Sequence, residues 1–381
     1  MSLELLSPVP DAVLASNLLM PSQTLGNQLL KNTSQDGFPD LKQVRVALVG
    51  VQETRSVGQP HQRKQDLTAI RKSLYALYAG NWPNRIADLG DLPVGDSESD
   101  SYQVLQDVAT ALYQQNILLL AFGGSQENTL GLCAVFSHLK TYYNLCSIDY
   151  KFDFGAHGVL IDKDSYMSNL ISERPNFLLN FCNLGYQSYY VAQEELDLIE
   201  RLYFDAVRLG ELHADMKVAE PYLRDSDVVS VDMSSVVSKD LGGGMTQVNG
   251  FSSHQMCVLS RYVGLSDRVG LVSLNNIPQT PEAAQLTAQT LWYMIEGLQH
   301  RANEYPFSVK ENCTKYVVPL KEQELTFFQS STTKRWWVLV PMKNNNDQKH
   351  TLLPCSENDY FRSVEGLIPD RWWRALRRTV V

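Results

Sequence analysis

Ser147-Ile148-Asp149-Tyr150-Lys151-Phe152-Asp153 is the stretch on which the reading of this chain turns. It continues the apolar run that begins at Leu145 and ends it with two aspartates on either side of a lysine. Residues two apart on a strand share a face, so these three side chains leave one edge of a sheet together. An Asp-x-His-x-Asp segment at the end of a buried strand would present three metal ligands. Here the middle ligand is Lys151, whose ammonium carries three donors and no acceptor and cannot bind a cation.

On both sides of this segment, short runs rich in β-branched residues alternate with segments of helical period, which signals parallel βαβ units. The predicted strands are 44–51, 85–89, 117–122, 145–149, 177–180, 206–209, 228–233 and 268–274. The predicted helices include 64–79, 101–115, 192–203, 252–263 and 281–301. In 101–115, Val104, Val108 and Leu112 keep the i, i+4 spacing of one buried face. Pro281 suits a first helical turn, with Thr280 as its N-cap. About eight parallel strands flanked by helices close a barrel or form an open doubly wound sheet, and periodicity leaves both open.

Residues 1–43 read as a weakly patterned lead-in, with Pro8, Pro10, Pro21 and Pro39 breaking any long element. The α/β domain then occupies 44–304 and a small extension 305–381. In the extension, 315–320 and 336–341 read as strands, 330–334 as a polar turn and 344–347 as a loop tip. Trp372, Trp373 and Leu376 fall at helical spacing among Arg371, Arg374, Arg377 and Arg378. The expectation is a β-hairpin plus one helix over 360–378, whose arginines serve acidic partners or solubilise the end. The Trp336-Trp337 and Trp372-Trp373 pairs form an interaction surface or pack onto the domain.

A chain of 381 residues, 44% apolar and 20% charged, is that of a globular protein. Its net charge of −9 argues against nucleic acid as a partner, because such binding rests on Lys and Arg neutralising phosphates. The six cysteines include no C-x-x-C pair and four lie in apolar runs, so they read as reduced, without a disulfide framework or structural zinc. The N-terminus has no basic, apolar signal pattern. The longest apolar runs fall well short of the ~20 residues of a spanning helix, so no membrane role is expected. The predicted compartment is the cytoplasm.

Ligands of open α/β sheets bind outside the carboxyl ends of the strands. Three predicted strand ends carry unusual polar residues: Gly123-Gly124-Ser125-Gln126-Glu127-Asn128, then Asp149 to Asp153, then Ser230-Val231-Asp232-Met233-Ser234. Their order and spacing over residues 40–302 resemble the ureohydrolase family, which includes arginase, agmatinase and formimidoylglutamase. That family holds two manganese ions with Gly-Gly-x-His, Asp-x-His-x-Asp and Ser-x-Asp-x-Asp motifs. The segment 241–251 resembles its Gly-rich loop, and 269–278 its last core strand, which normally ends in a glutamate before Asn-Pro. The resemblance implies a three-layer, arginase-like α/β fold with a mostly parallel sheet of about eight strands. Members commonly form trimers or hexamers, which implies a homo-oligomer.

The departures from the family pattern determine the functional expectation. The first ligand His falls at Gln126, the central His at Lys151, the last Asp at Ser234 and the substrate-facing Glu at Asn275. Asp149, Asp153 and Asp232 keep the family residue, and Ser125, Glu127 and Asn275 would line the pocket. By the resemblance, one metal position becomes Gln126, Asp149, Asp153 and Asp232, an oxygen set that suits Mn²⁺, Mg²⁺ or Ca²⁺. The other position is lost with Lys151 and Ser234, so no dinuclear manganese is expected. Three carboxylates and one lysine leave a charge of minus two, which a single divalent ion would cancel. The rival is a metal-free site in which Lys151 bridges the aspartates and one carboxyl stays protonated. Without two metals to clamp a hydroxide, arginase or agmatinase activity is not expected. The leading reading is an inactive homologue kept for small-molecule binding or for assembly. The alternative is a divergent, formimidoylglutamase-like hydrolase of linear amidines, acting on non-peptide C–N bonds with one metal or Lys151 itself.

Plainer roles fit the remaining candidates. Lys151 alone could be a solvent-facing lysine, and Gly123-Gly124 an ordinary turn. His138, His157, His213 and His254 have no partner at metal spacing, and Cys146 and Cys182 have no activating His.

Overall fold

The computed structural model describes residues 2–54, 64–155, 164–243, 247–304, 312–321, 323–343 and 348–378. His157, the expected loop tip 344–347 and the middle of the Gly-rich loop at 244–246 lie outside these residues. The strands in chain order are β1 (Leu30–Lys31), β2 (Val44–Val51), β3 (Arg85–Leu92), β4 (Leu118–Phe122), β5 (Tyr143–Ile148), β6 (Leu178–Tyr186), β7 (Asp205–Arg208), β8 (Val228–Asp232) and β9 (Leu271–Asn275). They form one open nine-stranded sheet in the order β1-β3-β2-β4-β9-β8-β5-β6-β7. All its neighbours run parallel. The barrel is thereby excluded, since the sheet begins and ends on different strands.

Two apolar cores flank the sheet, as period-two alternation requires of strands buried on both faces. Leu118, Leu120 and Phe122 face one core, against helices Thr68–Tyr75, Ser253–Leu265 and Pro281–Gln299. Leu119 and Ala121 face the other, against helices Glu98–Tyr113 and Asn128–Leu139. Thr280 caps its helix as expected, accepting from the Ala283 N–H at 3.2 Å. A buried Arg71 anchors this end of the sheet. It is bonded to Asp88 and Asp91 at 2.9 and 2.6 Å and lies over the Phe122 ring at 5.0 Å.

Two expectations need correction. The lead-in is part of the domain: β1 pairs with β3, and Val9, Val13, Leu25 and Leu29 are buried in the first core. Prolines there break long elements without preventing short ones.

The extension holds more than a hairpin and a helix. Strands β10 (Cys313–Pro319), β11 (Glu324–Ser330), β12 (Trp336–Lys343) and β13 (Gln348–Cys355) form an antiparallel sheet in sequence order. Helices Glu357–Val364 and Asp370–Arg378 follow. Pro354 lies in β13, an edge strand, where a missing N–H is tolerated. The single helix expected over 360–378 is split between Val364 and Asp370, a connection that holds Gly366, whose φ of 94° is left-handed, and Pro369.

The terminal arginines are docked against the larger sheet's surroundings. Arg371 donates to Pro221 O and to Asp225 Oδ2 at 3.0 and 2.9 Å. Arg374 donates to Phe204 O at 2.8 Å. Trp336, Trp337 and Trp372 are buried, and Trp373 is partly exposed.

Candidate functional site

Strand register places the site. Ile148 of β5 pairs with Val231 of β8, Val231 pairs with Leu274 of β9, and Asp232 pairs with Asn275. Phe122 of β4 pairs with Leu274, and the next residue, Gly123, donates its N–H to Leu274 O at 2.9 Å. Four central strands therefore end at one level, and Gln126, Asp149, Asp232 and Asn275 follow or close those ends. Gly124 is required in the turn before Gln126. Its φ is 73°, and an added Cβ would lie 2.1 Å from Asn128 Nδ2 and 2.8 Å from Glu53 O.

Gln126, Asp149, Asp153, Asp232 and Asn275 are all buried. Asp232 is held by the protein itself: Oδ1 accepts from the Ser234 N–H at 2.7 Å, and Oδ2 from Asn276 Nδ2 at 3.0 Å. Asp149 Oδ1 accepts a long 3.4 Å bond from the Lys151 N–H. Its Oδ2 has no donor among the described residues. Asp153 has a left-handed backbone, φ 58°, a conformation Asp tolerates better than most residues. The Lys151 ammonium lies 3.1 Å from Asp153 Oδ1, bonds Asp164 as well and sits 5.5 Å from the Tyr150 ring centroid. The Lys151 side chain is 20% exposed, so the ammonium closes the cluster from its solvent side.

The electrostatics follow from crowding acids in a dry site. Burial and the charges of Asp153 and Asp232 hold the Asp149 carboxyl well above the usual carboxylate range. Burial pushes Asp153 up to about 7 against the opposing pull of Lys151. Burial also raises Asp232, offset by its two donors. Asp149 and Asp153 are tightly coupled; Asp149 keeps its proton longer, because the ammonium stands beside Asp153. Asp153 and Asp164 outweigh burial and hold Lys151 protonated, above the ordinary lysine value.

Sequence reasoning missed the buried hydroxyl hub at Ser230. Its Oγ receives Gln126 Nε2 at 2.8 Å, meets Thr129 Oγ1 at 2.6 Å and receives Asn275 Nδ2 at 3.3 Å. Asn275 also donates to Ser273 Oγ at 3.0 Å, so this side chain is turned inward, while its neighbour Asn276 reaches Asp232. Ser230 lies two residues before Asp232 on an apolar strand, and that same-face spacing was the available signal. Asp164, the second partner of Lys151, is distant in sequence and gave none.

Ser125 donates to Glu127 Oε1 at 2.6 Å, and burial, helped by the Glu127 carboxylate, raises the pKa of the Tyr102 phenol above its usual value. Ser234 is buried and reaches the cluster through its backbone N–H. His138, His213 and His254 are exposed, while Cys146 and Cys182 are buried free thiols that face each other across β5 and β6.

The fit of this set to a divalent cation is mixed in chemistry and poor in arrangement. Gln126 Oε1 and Asp149 Oδ2 lack donors among the described residues, and hard cations favour oxygen ligands. Against this, both Asp232 oxygens are already engaged and an ammonium touches Asp153. Among the described residues, no three His, Cys, Asp or Glu side chains are gathered at metal-binding geometry. As arranged, the residues do not fit a metal. No helix of the described residues is long and apolar enough to cross a membrane.

No family model and no curated protein matches the sequence. Solved structures match the fold. A formiminoglutamase from Trypanosoma cruzi, solved with Mn²⁺, superposes with a TM-score of 0.63 at 12% identity, over 73% of this chain and 99% of that one. Formimidoylglutamase from Bacillus subtilis gives 0.62 at 13% identity, over 73% and 92%. Arginase from Bacillus cereus gives 0.52 at 13% identity, over 66% and 98%. The chain has the arginase-like fold.

Proposed function

We propose that this protein keeps the arginase-like body without two-metal hydrolysis, and that its strand-end cluster is neutralised by Lys151 and a shared proton. The observation that carries this reading is the Lys151 ammonium 3.1 Å from Asp153 Oδ1. It stands at the position where the family motif has its central His. A hydroxide nucleophile needs flanking metals to lower its pKa and fix its place. An ammonium repels divalent ions and has no lone pair while protonated. Asn275, at the position of the family's substrate-facing Glu, is turned into the Ser230 hub and offers no carboxylate to an amidinium. The role that remains is binding or assembly, with the body as a homo-oligomer.

A second reading has one specific observation in its favour: Gln126 Oε1 and Asp149 Oδ2 are among the cluster oxygens without a donor among the described residues, and with the Lys151 ammonium withdrawn from Asp153 they would be open to a single Mn²⁺, Mg²⁺ or Ca²⁺. Elemental analysis of protein purified without chelator separates the two, together with assays on formimidoylglutamate, arginine and agmatine with added Mn²⁺. Substoichiometric metal and no turnover are expected. One bound equivalent overturns the metal-free reading, and amidine hydrolysis identifies a one-metal hydrolase instead. Gln126→His, Lys151→His and Ser234→Asp combined are expected to bind two manganese ions. A folded triple variant that gains no metal would refute the motif alignment.

A further inference from the structure

A polar cavity of about 680 Å³ opens at the opposite end of the sheet, where β2, β4 and β9 begin. Its lining includes Arg45, Asp227, Asp267, Arg268, Gln299 and Arg301. The two acids are already engaged. Asp227 takes Arg268 Nε and Nη2 at 2.8 and 2.7 Å and the Asn144 N–H at 2.7 Å. Asp267 accepts the N–H groups of Asn303 and Glu304 at 3.0 and 2.8 Å.

The cationic side is not balanced in the same way. Arg301 donates to the carbonyls of Gly264 and Val269 at 2.9 and 2.8 Å. It forms no ion pair with a described carboxylate, and burial lowers its pKa to about 10. Arg45 is exposed, also without an ion pair among the described residues. Gln299 Oε1 accepts the Asn84 N–H at 3.1 Å. That bond fixes the amide orientation, which could otherwise be reversed, and leaves buried Nε2 with no acceptor among the described residues. Helices Glu98–Tyr113 and Pro281–Gln299 end at this rim, and their carboxyl ends contribute roughly half a negative charge each. With Asp267 counted, Arg45 and Arg301 leave the rim near neutral overall, so the cavity offers an anion hydrogen-bond donors from Arg45, Arg301 and Gln299, while its two acids already have donors of their own.

We infer that this cavity is a binding site for a small metabolite carrying an oxyanion, either carboxylate or phosphate, held by Arg45, Arg301 and Gln299 Nε2. Its volume lies within the roughly 300–1,000 Å³ of small-molecule sites. Guanidinium groups pair with either anion through parallel N–H donors. The site lies at the opposite end of the strands from the aspartate cluster and does not depend on its chemistry.

The test is titration calorimetry of the full chain with citrate and with inorganic phosphate, at ionic strength matched with chloride. Saturable binding at or below ~1 mM is expected for at least one of the two, and the stronger one identifies the source of the oxyanion. Gln299→Glu keeps the acceptor for Asn84 while placing a carboxylate where the spare donor points. Arg45→Ala removes an exposed charge with little risk to folding. Each is expected to weaken binding by ~10-fold or more. Absence of saturable binding by the wild type, or affinity unchanged in both variants, would overturn the proposal.

Discussion

Lys151 is the residue on which the chemistry of the strand-end cluster depends. Three buried carboxyls sit together, and a carboxylate without a partner in such a site costs several kcal/mol. The ammonium at Asp153 and the bonds from Ser234 and Asn276 to Asp232 offset that cost. Lys151→Met removes the cation and leaves the acids in place. Breaking a buried pair costs about 3–5 kcal/mol; for a side chain one-fifth exposed, a loss of about 2 kcal/mol is expected. Urea denaturation at neutral pH measures it, and an unchanged midpoint would mean that the ammonium does not compensate the acids. Ser230 has a different part to play. Its hydroxyl gathers Gln126, Thr129 and Asn275 into one buried group, so this side of the site is set by hydrogen bonds and not by charge.

Individual elements do more than enclose the core. The helix Pro281–Gln299 begins at Thr280, whose hydroxyl accepts from Ala283 and donates to Leu241 O at 2.6 Å. The cap thus joins the helix to the turn that follows the third motif. Thr280→Ala is expected to cost about 1–2 kcal/mol, the upper part of the range for N-caps. Thr280→Ser should restore most of it, and thermal unfolding of the pair provides the comparison. Equal destabilisation by both variants would locate the effect in packing of the methyl group. Strand register is the second contribution at this scale. A slip of one residue in β8 would turn Asp232 and Ser230 to the other face and dismantle the cluster.

At the scale of the molecule, the antiparallel extension is fastened to the large sheet through buried arginines. Arg371 reaches Asp225, Pro221 and Pro354. Arg224 donates to Trp336 O and Cys355 O at 3.1 and 3.2 Å. Arg371→Gln leaves Asp225 partly uncompensated, and about 3 kcal/mol of stability should be lost. An unchanged transition in guanidinium chloride would show that apolar packing alone fastens the extension. The sequence by itself determined the alternation of strands and helices, because burial on both faces writes apolar runs separated by amphipathic segments. It also identified Asp149, Lys151, Asp153 and Asp232 as strand-end residues, since charges interrupting apolar runs are costly unless they are placed together. Only the tertiary structure decided that the sheet is open, that β1, β11 and β13 exist, and that the arginine-rich end is docked rather than solvated. Those features depend on partners far away in sequence, such as β3 for β1 and Asp225 for Arg371. Lys151 shows the same division: its place beside two aspartates was legible, but its bond to Asp164 arose only when the chain folded back on itself.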